Sequence, residues 1–171
     1  MGFLRSLLGA KTAGQFACYD IAKPLTREAV LCSGLLIQYK DYIPEDNREA
    51  SVKCAAFMFA NYFIHCFNRQ YLRLYGSQKL EMAQRALFPI IAYEFNRQFS
   101  DYEASDNMFF DGYMVFDQDS VLQEFSNILS KTIFPDLYPN PQIIATIAKA
   151  AENGLDHIAF QPKLIELSRW Y

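Results

Sequence analysis

Apolar positions recur along this chain three and four residues apart, the helical period, and polar or punctuating residues divide the pattern into about six segments. Thr26 has the character of an N-cap ahead of Ala29, Val30, Leu36 and Ile37, which predicts a helix over about 26–42 that stops at Ile43-Pro44. Residues 2–9 place Phe3, Leu4, Leu7 and Leu8 on one side of a short helix. With only Arg5 and Lys11 to attract lipid, that side is expected to pack on the fold rather than touch a membrane. Asp46 and Glu49 have the spacing of a capping box, and the run behind them predicts a long central helix from about 47 to Gly76. Gly76-Ser77 pairs a helix-ending glycine with an N-cap serine, so a third helix over about 78–100 folds back antiparallel on the second. Pro89 predicts a kink near Gln84 to Phe88.

Val121, Leu122, Phe125, Ile128 and Leu129 line one face of a fourth helix that ends before Pro135. Asn140-Pro141, an N-cap followed by a first-turn proline, opens a fifth with Ile143, Ile144, Ile147 and Ala148 on one stripe before Gly154. A last short helix starts near Pro162. Between the third and fourth lies a segment where Asp111-Gly112, flanked by aromatic residues, could close a small β-hairpin. The reading is an all-α antiparallel bundle of about five to six helices in one globular domain spanning 1–171.

Composition narrows what such a bundle does. Hydrophobic residues make up 51% of the chain and charged residues 20%, a balance that supports a packed core. A formal net charge of −3 supplies no global positive field for phosphates, so a general nucleic-acid binder is not expected. The most apolar run, Cys54 to Phe67, is interrupted by Asn61 and His65, too short and too polar for a transmembrane helix. No secretory signal is recognisable at the N-terminus, so the expected location is cytoplasmic, with Cys18, Cys32, Cys54 and Cys66 reduced and packed as small apolar residues. Their spacing contains no C-x-x-C pair, and neither a metal nor a cofactor is implied.

Three places carry candidate chemistry. Asn61, His65 and Arg69 lie at intervals of four in the long second helix, in line with Glu49 and Lys53 and beside Asn68. As the solvent-facing edge of an amphipathic helix these residues need no further explanation; turned inward, His65 tuned by Arg69 and the amides would make a weak catalytic candidate for proton transfer. The stretch Asp101 to Asp119 holds six acidic residues and no Lys or Arg, with aromatic side chains interleaved. Residues 1–100 carry twelve basic and eight acidic side chains, whereas 101–171 carry four and eleven, so the two parts differ in sign. Aromatic anchors in a charged rim suit protein interfaces, which makes Asp106, Phe109, Phe110, Asp111, Tyr113, Phe116 and Asp117 the candidate partner-binding residues. The acids do not match a calcium loop, because the glycine falls one position late. Finally, Met1-Gly2 with Ser6 matches a loose acylation pattern that carries little information on its own.

No nucleophile elbow, phosphate loop, dinucleotide fingerprint or zinc-protease motif occurs, so an enzyme is not the first expectation. The function expected from sequence is a non-enzymatic helical interaction or regulatory domain that binds a protein partner with a basic surface through 101–119. A bundle enclosing an apolar ligand or cofactor is the first alternative, and an enzyme with a polar site around His65 the second. The high apolar fraction in a short chain also allows a homodimer.

Overall fold

A computed structural model of the chain describes residues 2–99, 105, 108–109 and 121–171, with side chains from residue 13 onward. The described residues form six α-helices and no strand: α1 (Gly2–Ser33), α2 (Arg48–Tyr75), α3 (Ser77–Gln98), α4 (Val121–Ile133), α5 (Pro141–Ile158) and α6 (Phe160–Leu167). The all-α expectation is met. The hairpin expected at Asp111-Gly112 lies outside the described residues. No helix among the described residues is long and apolar enough to cross a membrane.

Several boundaries differ from the sequence reading, each for a local reason. Thr26 does not begin a helix: α1 is already helical from Gly2 and continues through Pro24 to Ser33. The Thr26 hydroxyl instead donates to the carbonyls of Ala22 at 2.9 Å and Lys23 at 3.2 Å, the back-bonding a hydroxyl adopts inside a helix. Beyond Ser33 the chain tightens into a 3₁₀ segment, Gly34–Tyr42, and Ile43 then turns extended ahead of Pro44. The capping box does not form, since Asn47 is the N-cap of α2 without a side-chain cap and Glu49 pairs with Lys53 at 2.8 Å.

Gly76 alone separates α2 from α3. Its φ of 82° is one that a side chain would strain, which explains a glycine here, and it rather than Ser77 is the N-cap of α3. The hairpin is antiparallel, because Phe57 near the start of α2 meets Phe95 near the end of α3, ring centroids 6.1 Å apart. α3 remains a single helix through Pro89, which is exposed. At the start of α5, Asn140 accepts from the amides of Gln142 and Ile143 ahead of Pro141, as its sequence position predicts. α5 does not stop at Gly154 but runs on to Ile158.

The core is largely aromatic. Phe59, Phe63, Phe67 and Tyr71 stand at intervals of four on α2 and are all fully buried, joined by Phe88 and Phe95 of α3, Phe125 of α4 and Phe160 of α6. Burying each such ring removes roughly 2 kcal/mol worth of apolar surface from water, so α2 is pinned from several sides at once. α1 runs antiparallel to α5, shown by a ladder of pairs in which Glu28 meets His157, Cys32 meets Ala150 and Tyr39 of the 3₁₀ segment meets Thr146. Gly154 makes that approach possible: a Cβ there would stand 2.6 Å from Phe63 Cζ and 3.1 Å from Cys32 Sγ.

Candidate functional site

The polar line of α2 is not a solvent edge. Asn61, His65 and Asn68 are buried, while Glu49 and Arg69 at its ends are exposed. The plain solvent-edge expectation is therefore corrected for the middle of the line. α2 packs against α1, α3, α4 and α5, and the middle of its polar flank is enclosed among them. Asn61 donates to the carbonyl of Phe57 at 3.0 Å, and its Oδ1 has no hydrogen-bond partner; neither end of the Asn68 amide has one. The Phe57–Phe95 contact and the Gly76 turn bring Asn68 level with Gln84 of α3, which is also buried. Arg69 projects to the surface. Of the three candidate catalytic residues, the fold thus encloses Asn61 and His65 and leaves Arg69 outside.

Of the partner-binding candidates, only Phe109 lies among the described residues. It is fully buried, 5.0 Å from the Phe57 ring and 5.5 Å from that of Phe95, so its ring belongs to the aromatic core rather than to an exposed anchor. Asp106, Phe110, Asp111, Tyr113, Phe116 and Asp117 lie outside the described residues.

A different place combines charge, concavity and exposed apolar surface. Glu28 falls among Leu25, Ala29 and Cys32 on the inward stripe of α1 and is only 5% exposed. A carboxylate in that position needs compensation. Its Oε2 lies 3.2 Å from His157 Nδ1 on α5, and its Oε1 lies 3.6 Å from Arg27 Nε; both of those partner side chains are 69% exposed. Beside this group the two helices frame a cleft of about 270 Å³. Cys32, Ala150 and Gly154 are its small floor, Leu31 of α1 and Leu35 of the following 3₁₀ segment form one wall, and Asn153 and His157 form the α5 wall. Leu31 is 55% exposed and Leu35 40%.

The side chains of the cleft set its chemistry. Burial, helped by the charge of Glu28, pushes the Cys32 thiol up to about 12, and Cys32 Sγ lies 3.3 Å from the carbonyl oxygen of Ala150. A thiol held protonated is a poor nucleophile. His157 with Glu28 resembles an oriented base, yet the cleft supplies no hydroxyl or activated thiol for it to act upon. Among the described residues no three His, Cys, Asp or Glu side chains converge as a metal-ligand group.

Two larger hollows, of about 400 Å³ beside Asn47, Ser51 and Asp136 and about 430 Å³ beside Gln70, Asp156 and Phe160, each carry one carboxylate and no basic group. The Glu28 cleft was missed in the sequence because Glu28 and His157 are far apart in the chain. The readable signal was an acid on the apolar stripe of a helix. Comparison of the chain with protein-family models, with curated proteins and with solved structures finds no match.

Proposed function

We propose that this chain is a helical protein-interaction domain that docks a segment of a partner protein into the cleft between α1 and α5. The observation that carries the reading is the pair Leu31 and Leu35, exposed one turn apart along the wall of a concave, small-residue floor. A single exposed leucine is ordinary; two that flank a hollow match the apolar centre of an interface, with Arg27, Asn153 and His157 as its polar rim. The acidic, aromatic segment 101–119 remains a second surface for the same function, supported by its composition alone.

The test is a photo-crosslinking residue placed at Leu31, followed by binding measurements with the purified captured partner. Leu31→Asp is expected to abolish that binding while leaving the helical circular dichroism unchanged. A partner that binds the variant as well as the natural chain overturns the reading.

A second reading has one observation in its favour, the enclosure of His65 with Asn61 and Asn68 within α2's packed flank, which would place a proton-transfer group in a dry setting. Its test is a separation of stability from function. Asn68→Leu that raises stability and abolishes cellular function supports it; a rise in stability with function intact removes it.

A further inference from the structure

We infer that the end of the bundle formed by the α2–α3 turn and the first turns of α1 rests on the surface of a lipid bilayer that carries anionic headgroups. Tyr171 marks the level at which the helices stop covering one another. Its carbonyl accepts from the Tyr71 hydroxyl at 3.1 Å, its side chain hydrogen-bonds the Cys18 thiol, and a Cβ at Gly14 would stand 2.9 Å from its hydroxyl oxygen. Farther back, a Cβ at Gly154 would meet both Cys32 of α1 and Phe63 of α2, so these two helices are antiparallel. α2 ends four residues after Tyr71, at Tyr75, whereas α1 begins twelve residues before Gly14. Residues 2–13 therefore reach past the turn by up to about 18 Å. The stretch that the sequence reading expects to pack on the fold instead continues α1 without a break.

Apolar surface and positive charge meet at this end. By register Phe3, Leu4 and Leu7 prolong the buried stripe of Cys18, Ile21 and Leu25, and Phe16, Leu72, Leu74 and Trp170 are exposed. Residues 2–19 and 69–80 contain Arg5, Lys11, Arg69, Arg73 and Lys79 and no Asp or Glu. Nearby acids are answered by other cations: Glu81 pairs with Arg85, Glu166 pairs with Arg169, and Asp20 lies within electrostatic reach of Lys163. Asp156, beside Gln70, is set against Arg69. Glu152 is within reach of Tyr62, about 20 Å back along α2 from Tyr75, which exceeds a Debye length of roughly 8 to 10 Å. Phe109, from the acidic stretch, meets Phe57, about 27 Å from Tyr75 along the same helix. Arg5, Lys11, Arg73 and Lys79 remain as a local surplus that the overall charge of −3 conceals. A cationic, apolar end with a tryptophan suits the boundary between headgroups and acyl chains. Nucleic-acid phosphates would satisfy the cations and leave Leu72 and Leu74 in water, and a second copy would bring like charges together.

The experiment adds the full chain to vesicles of phosphatidylcholine alone and of phosphatidylcholine with about 30% phosphatidylserine. Binding to the anionic vesicles is expected to be about tenfold tighter or better, to weaken as salt is raised, and to shift the emission of Trp170, the single tryptophan, to the blue. Arg5→Glu combined with Arg73→Glu should remove the preference, and Leu74→Asp should weaken binding about fivefold, each with unchanged helical circular dichroism. Equal binding to both vesicles, no binding to either, or a preference that the charge-reversed chain retains each overturn the inference. Tighter binding to single-stranded RNA than to the anionic vesicles, or a dimer in solution that does not bind them, overturns it as well.

Discussion

Two buried polar places in this fold are handled in opposite ways. Glu28 is compensated: a carboxylate on the inward stripe of α1 faces an imidazole and a guanidinium, and both of those partners reach solvent. The Asn68 amide on α2 is enclosed without a hydrogen bond at either end. Unmade hydrogen bonds of a buried amide cost about 1–3 kcal/mol, whereas a compensated carboxylate at an edge costs little and keeps its partners available to a visitor. The difference follows from where each helix sits. The middle of α2 is enclosed by neighbouring helices, so polar residues there end up inside, while α1 leaves Phe16, Arg27 and Leu31 exposed. Polar residues enclosed in α2 act on stability, and those bordering the open side of α1 are the ones on which the proposed docking would depend.

The largest expected effect breaks the geometry on which the cleft depends. Gly154→Val drives new atoms into Phe63 and the Cys32 sulfur, so α5 must withdraw from α1. Unfolding in urea should show a loss of about 2–3 kcal/mol, with binding of the captured partner lost as well. An unchanged midpoint would mean that the two helices do not approach as described.

Next in size, Asn68→Leu should stabilise the protein by about 1 kcal/mol, since it replaces an unpaired buried amide by an apolar side chain of similar volume. Destabilisation would show that this amide is satisfied after all, and the contrast with Glu28 would fail. Leu31→Asp, on the exposed wall, should change stability by less than about 0.5 kcal/mol and act on binding alone.

The smallest effect at neutral pH comes from the thiols. Burial raises Cys18 and Cys66 from the ordinary 9.0 to about 11 and Cys32 to about 12, so the folded chain holds protons that the unfolded chain would release. Their contribution to stability is complete below pH 9.0 and declines as pH rises from there toward about 11 to 12. Denaturant midpoints recorded from pH 7 to 11 should be flat at first and then fall. At pH 8 these three cysteines should resist iodoacetamide until the protein is unfolded.

Helix identity was legible wherever periodicity and punctuation agreed. The Asn140-Pro141 start of α5, the Gly76 turn, the stop at Ile43-Pro44 and the amphipathic stripe of α4 all stand where local rules place them. Local rules failed where a residue has two uses. Thr26 can cap a helix or bond back within one, Gly154 can end a helix or admit a close neighbour, and the sequence around each does not say which. The candidate site was less legible. The polar line of α2 was correctly seen as one flank, but whether water or protein covers it depends on helices distant in sequence. Phe109, expected as a partner-binding aromatic, packs instead against Phe57 and Phe95, because its interleaving with acids does not show on which side of the chain the core lies.

What the amino-acid sequence determined by itself is the helical class and most of the helix boundaries, because these follow from interactions within a few residues of chain: side-chain periodicity, caps and breakers. Only the tertiary structure decided that Glu28 meets His157 across 129 positions, that the middle of α2's polar flank is covered, and that Leu31 and Leu35 are left beside a hollow. Those outcomes rest on which apolar stripes bury one another, and a stripe carries no label for its partner.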